Sequence, residues 1–363
     1  MAPTPTYIES VANNNNNNES ESKVKLFPYK IQPVEGNNGK NMLDLFRGEK
    51  TKYLQVGPKK WIYPSGYERQ AHDFYNFVAR PSDVFIVTFP RSGTTWTQEM
   101  IWLLANNLDY KKASQVNLRH RFPFLEFSCF IHPEMKATLL KENQHFPEKL
   151  KIVQSLDRGI VEDLNNMKER RFIKTHNPFS LMPPNLLDVG CKVIYVARNP
   201  KDVAVSYYHL CKTYRTQGYV GEFPQFWRNF QDGLVAWAPY WEHIKEGWNR
   251  RHEENMLFLF YEDLKKNLRP SLKKLASFLE QSYSEEQYEI LEEHLSIDNF
   301  RNNKSVNADD DKDIGVISDT EASFIRKGVV GGWSPYFDDE LNAEADRWIE
   351  ENLKTFDLRF PSK

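Results

Sequence analysis

The sequence predicts one α/β domain in which a central parallel β-sheet is flanked by helices. Short, almost wholly apolar segments (VFIVT, RFIKTH, CKVIYVARN, NMLFLFYEDL) alternate with stretches that carry apolar residues at helical spacing. The charged motifs fall at the carboxyl ends of those segments, where open parallel sheets bind ligands. No internal repeat and no change of composition interrupts residues 45–363.

The 363 residues could make one large domain or two small ones, and 40% hydrophobic content is ample for a core. The net charge of −2, from 48 basic and 50 acidic side chains, recommends neither nucleic acid nor an anionic membrane surface as a partner. Cys129, Cys191 and Cys211 are odd in number and show no CxxC spacing, which argues for a reducing compartment and against disulfides or zinc. The longest apolar stretches are only strand-sized, with no signal, transit or transmembrane run, so the cytoplasm is the expected location. Residues 1–44 contain six consecutive asparagines followed by Glu-Ser repeats, too few apolar groups to offset the entropy of ordering, and are expected to form a disordered leader.

The first strand–loop–helix unit is VFIVT, the loop within TFPRSGTTW (Thr88 to Trp96), and the apolar-periodic TTWTQEMIWLLANNL. The loop has the makings of an anion cradle. Arg91 offers a fork of donors, Ser92, Thr94 and Thr95 offer hydroxyls, Gly93 lets the backbone approach a ligand, and the helix presents unpaired N–H groups at its positive end. Phe89 and Pro90 stand where a Walker A loop would begin its glycine-rich part. A phosphate-bearing ligand is therefore expected, but not ATP with magnesium.

The second strand ends at Lys174 and His176, whose side chains share one side if the segment stays extended. The third ends at Arg198 and leads through Pro200 into the helix carrying Ser206, so an arginine and a hydroxyl could grip one phosphate. The fourth ends near Tyr261. Further on, FIRKGVVGGW places Arg326 and Lys327 before three glycines, as a cationic flap over a phosphate would. Any one of these motifs alone reads as an ordinary turn, a core histidine or a strand-end ion pair; four strand ends carrying such groups favour a shared site.

TFPRSGTTW, KTHNPF, YVARNPKDVAVSYYH, LFYEDLKKN and RKGVVGGW, in that order, resemble the signature blocks of the cytosolic sulfotransferases, over roughly the last three hundred residues. Those enzymes use the sulfonate donor PAPS (3′-phosphoadenosine 5′-phosphosulfate), release PAP and need no metal. SLMPPN, NMLFLFYEDL and the tail after the flap are most similar to insect members, including the retinol dehydratase type.

The resemblance implies that Arg91, Ser92, Gly93, Thr94 and Thr95 hold the 5′-phosphosulfate and that Trp96 stacks on adenine. It implies that Arg198, Ser206 and the Arg326-Lys327-Gly328 flap hold the 3′-phosphate, with Tyr261 and Ser296 as further nucleotide contacts. His176 becomes the base that takes the acceptor hydroxyl's proton, with Lys174 and Arg91 as the catalytic cations, and a histidine pKa near ~6.5 suits that task. Tyr67, Phe124 and Phe127 match acceptor-pocket positions, against an equal expectation that they are plain core. The aromatic stretch from Phe223 to Trp248 is expected to serve helix packing, and Cys129 to be a buried, inert thiol.

The chain departs from the family pattern in several places. Arg91 replaces the usual lysine, which puts rate more than binding in question. Ile297 replaces an aromatic beside the adenine, GGW replaces GDW, and the family's dimer motif is absent, so no dimer through that patch is expected. About twenty extra residues lie between FPFLEF and KTHNPF, and the helix-like insert, about 128–170, is expected to be a lid over a long apolar acceptor. The expected activity is sulfonate transfer to a hydroxyl of a small, partly apolar molecule such as a phenol, steroid or retinoid. The alternatives are an allylic-alcohol dehydratase working through a transient sulfonate ester, or an inactive nucleotide or lipophile carrier.

Overall fold

A computed structural model describes residues 25–318, 325 and 328–361. Its centre is a four-stranded parallel sheet in the order β5-β4-β6-β7, formed by β4 (Val84–Thr88), β5 (Phe172–Thr175), β6 (Lys192–Ala197) and β7 (Met256–Phe260). Each of these four is one of the apolar segments read from the sequence. They are apolar throughout because both faces are covered: Phe85 and Val87 enter one core cluster with Val193 and Tyr195, while Val84 and Ile86 enter the other with Ile194 and Leu257.

The register determines where the loops emerge. Val87 pairs with Thr175, Thr88 with Val196, and Ala197 with Phe260. The residues that follow, Phe89 to Gly93, His176, Arg198 and Tyr261, therefore leave the sheet along one edge. Pro123 to Leu125 run beside the end of β5, with Lys174 N–H donating to Pro123 O at 2.8 Å and Leu125 N–H to Lys174 O at 2.9 Å. This brings a segment from before the insert to the same edge.

The opposite edge is tied by a buried ion pair. Arg171 Nε donates to Asp83 Oδ1 at 2.8 Å, and both side chains are fully buried. Arg171 O accepts from Val84 N and Asp83 O accepts from Lys192 N, so the pair fixes the starts of β4, β5 and β6 together.

A second sheet, absent from the sequence reading, is antiparallel in the order β1-β2-β3, from β1 (Ile31–Pro33), β2 (Tyr53–Val56) and β3 (Trp61–Pro64). It corrects the expected leader of 1–44, because β1 and all but the last residue of the helix Gly36–Leu45 lie inside that range. Pairing of Ile31 with Val56 and burial of Met42 and Phe46 supply what local composition does not. The asparagine run lies outside the described residues. The insert folds as the helices Pro133–Glu142, Pro147–Ser155 and Val161–Asn166. All three cysteines are buried and free, and no described helix is long and apolar enough to cross a membrane.

Asp83→Ala leaves a buried, uncompensated guanidinium and should cost about 3–5 kcal/mol. The cost is read as a lower urea midpoint at unchanged slope; an unmoved midpoint would show that the pair adds nothing.

Candidate active site

The loop between β4 and the helix Thr94–Ala105 turns through two residues of positive φ, Arg91 at 70° and Gly93 at 95°. A Cβ at Gly93 would lie 2.5 Å from Tyr261 Cδ2, so the turn and the close approach both require glycine. Arg91 tolerates its conformation at a cost of roughly 1–3 kcal/mol. Its Nε donates to Ser206 Oγ at 2.9 Å. Thr88 and Thr94 share a hydrogen bond of 2.8 Å between hydroxyls. The helix has no side-chain cap at Gly93, which leaves its first N–H groups facing the loop. Ser92 Oγ is buried with no hydrogen-bond partner among the described residues.

Arg198 enters from the end of β6. Its Nη1 donates to Arg91 O and its Nη2 to Val329 O, each at 3.1 Å, and the guanidinium lies 4.2 Å from the Tyr261 ring centre. Arg198 Nε is buried and has no hydrogen-bond partner among the described residues. The structure thus pairs Ser206 with Arg91 rather than with Arg198, although both arginines line one cavity. Trp96 lines it too, with Nε1–H donating to Leu295 O at 2.9 Å and Lys265 Nζ 4.9 Å from its ring centre.

His176 is buried at the end of β5. Its Nδ1 lies 2.7 Å from Thr88 O, a carbonyl that can only accept, so Nδ1 carries the proton and Nε2 is the open acceptor. Burial, then the neighbouring Lys174 charge, holds its pKa well below the ordinary histidine value. The expected pKa near 6.5 is corrected accordingly. Lys174 Nζ sits 4.1 Å from the Phe124 ring centre, and burial brings its pKa down to about 8, against the Glu126 charge, which raises it. Lys174 thus remains mostly charged at neutral pH, while His176 is neutral.

The cavity, of about 560 Å³, runs from the cradle past His176 to an aromatic wall of Phe124, Phe127, Phe130 and Trp237. Ile152, Ser155 and Leu156 of the insert complete it. Among the residues predicted from sequence, Arg91, Gly93, Thr94, Thr95, Trp96, Lys174, His176, Arg198, Ser206, Tyr261, Gly328, Phe124 and Phe127 line this one space. Tyr67 does not: it is fully buried and stacked on Tyr63 at 3.9 Å between ring centres. Ser296 is exposed at the N-terminus of the helix Ile297–Asn302, where its hydroxyl accepts from Asn299 N. Arg326 and Lys327 lie outside the described residues.

Three contributors escaped the sequence reading. Glu126 accepts from His176 N at 2.6 Å, and its pKa is pushed up to about 7 by burial. His243 Nε2–H donates to His176 O at 3.0 Å, with Tyr195 OH 2.7 Å from its Nδ1. Trp237 lies between the two aromatic helices and faces the cavity, whereas Trp227, Phe230 and Tyr240 pack as expected. The carboxylate inside the apolar run PFLEF was the signal available for Glu126.

A family model described as the sulfotransferase domain matches residues 81–357. Sulfotransferase 1E1 of Bos taurus is 35% identical over 81% of this chain and 91% of its own length. Luciferin sulfotransferase of Photinus pyralis is 30% identical over 86% of this chain and 82% of its own. A crystal structure of retinol dehydratase in complex with androsterone and the inactive cofactor PAP is 39% identical, with a TM-score of 0.86, and the match covers 92% of this chain and 98% of that one.

The hydrogen bond to Thr88 predicts that nitrogen NMR of the free protein finds His176 neutral and protonated on Nδ1 down to pH values below 6.5. An imidazolium signal for His176 at neutral pH would contradict this account of the site.

Proposed function

We propose that this chain, which belongs to the sulfotransferase family and is a sulfotransferase acting on small acceptors, draws its sulfonate from PAPS and delivers it to a hydroxyl with His176 as base. The observation that carries the proposal is a neutral histidine whose open Nε2 faces the cavity that the phosphate cradle also lines.

The residues present fit the nucleotide. Ser92 Oγ and Arg198 Nε are buried polar groups with no partner among the described residues, and Gly93 leaves room that a Cβ would fill. Arg91, Ser92, Gly93, Thr94 and Thr95 would hold the 5′-phosphosulfate, Trp96 the adenine, and Arg198 with Ser206 the 3′-phosphate. Tyr261 closes the floor of the cradle. Ser296 and the Arg326-Lys327-Gly328 flap complete the proposed nucleotide contacts. Bound there, PAPS would supply the sulfonate and leave as PAP, with no metal.

The side chains divide the work by charge. Sulfuryl transfer resembles phosphoryl transfer in having a loose transition state, stabilised chiefly by positioning and by positive charge at the leaving oxygen. Lys174 and Arg91 supply that charge. A depressed pKa keeps His176 Nε2 unprotonated at neutral pH, at the expense of basicity. In a loose transition state the acceptor's proton departs late, so a weak but always available base suffices. Thr88 O then holds the Nδ1–H of the imidazolium.

The aromatic wall and the insert suit a partly apolar acceptor, and we assign Phe124, Phe127 and the 128–170 helices to it, the helices acting as a cover. Tyr67 supports the wall from behind. The buried free cysteines accord with a cytoplasmic protein. A second reading, dehydration of an allylic alcohol after sulfonation, is favoured by the 39% identity to retinol dehydratase, whose solved complexes include one with retinol and PAP.

Labelled PAPS, a chelator and a panel of simple phenols, a steroid and retinol should give PAP and sulfonated products, while dehydrated retinol would select the second reading. His176→Ala should lower kcat by about 10²–10⁴-fold with PAP affinity nearly intact. Absence of PAPS binding by the wild type, or ordinary turnover by the variant, would overturn the assignment.

A further inference from the structure

Glu126 is a fully buried carboxylate that hydrogen-bonds Thr175 and His176 at the end of β5. Its Oε1 accepts from His176 N at 2.6 Å and from Trp237 Nε1 at 3.2 Å, and its Oε2 accepts from Thr175 Oγ1 at 2.8 Å. Trp237 needs that anchor. It sits at a φ of 63°, with its N–H on Ile62 O at 2.8 Å, and its ring lies 5.2 Å from that of His176. One carboxylate thus joins the base, the strand that carries Lys174 and the aromatic wall of the acceptor space.

We propose that Glu126 is a positioning residue that fixes the His176 main chain and the Trp237 ring in one arrangement and serves as the counter-charge that keeps Lys174 protonated. The inference rests on the sulfotransferase reading of the site given above.

The charges around the pair favour this role. Lys174 faces Arg91 from the cradle, which disfavours its charge, and Glu126 and Asp311, which favour it, while the neighbouring His176 is neutral. Asp311, in the helix Asp309–Asp313, is already paired with Arg119. Around Glu126 itself, Tyr63, Tyr67 and Cys129 are all held well above their ordinary pKa values by burial and stay neutral. Of the two carboxylates that act on Lys174, Glu126 is therefore the one with no arginine paired to it among the described residues. The donors from His176 and Thr175 limit to about 7 the pKa that burial pushes up, so the carboxylate is ionised over the alkaline range in which Lys174 titrates. Lys174, poised at about 8, loses its proton at lower pH if that negative charge goes.

The test is the pH profile of kcat for transfer from PAPS to a simple phenol, measured on the full chain. Glu126→Gln should lower kcat by about 10- to 100-fold, leave the KM for PAPS nearly unchanged, and move the alkaline limb about one pH unit lower. Thr175→Val, which removes one donor from the carboxylate, should move that limb the same way by less, and Thr175→Ser should restore it. The threonine pair keeps the test available if Glu126→Gln does not fold. Alkaline limbs that coincide with the wild type in these variants would overturn the role of Glu126 alone. A wild type with no transfer from PAPS would overturn the reading of the site and this role with it.

Discussion

The hydrogen bond from His176 Nδ1–H to Thr88 O, 2.7 Å long, joins the two halves of the site. Thr88 is the last residue of β4, and its hydroxyl also reaches Thr94 at the start of the cradle's helix. A single residue therefore sets both the tautomer of His176, the proposed base, and the start of the loop. That arrangement depends on the parallel register of β4 with β5 and β6, which is pinned at the far edge by Asp83 and Arg171. A slip of one residue would invert which side chains face the cavity and separate His176 from the loop.

The site concentrates positive charge in a buried space. Arg91, Lys174 and Arg198 line the same cavity, and Arg91 is among the causes that depress the Lys174 pKa. Before an anion arrives this crowding is unfavourable, and a bound phosphate or sulfonate reverses its sign. Buried groups without a partner among the described residues, such as Ser92 Oγ and Arg198 Nε, act alike: they are costly alone and useful to a ligand. Burial beside the aromatic wall is the chief cause that keeps His176 neutral.

The parts legible in the sequence were those whose chemistry is contiguous. VFIVT running into RSGTT shows a strand, a turn and a helix start within a dozen residues, and KTH and VARN sit directly at the ends of apolar runs. The parts that were not legible act through distant contacts. Glu126 meets His176 across 50 residues of sequence, His243 meets it across 67, and Trp237 meets Glu126 across 111. Tyr67 misled because a family position says nothing of which side of a wall a ring occupies, and here Tyr63 stacks against it. Residues 31–44 read as leader in the sequence because their pairing partner, β2, lies beyond them and their own composition is polar. The low pKa of His176 likewise comes from burial by segments far from KTH.

A crystal structure of the protein with PAP and a simple phenol tests the central claim most directly. The account predicts the 5′-phosphate on the Arg91 to Thr95 loop and the phenolic oxygen within hydrogen-bonding distance of His176 Nε2, beside Lys174. Nucleotide bound away from that loop, or a phenol whose oxygen faces some other base, would contradict it.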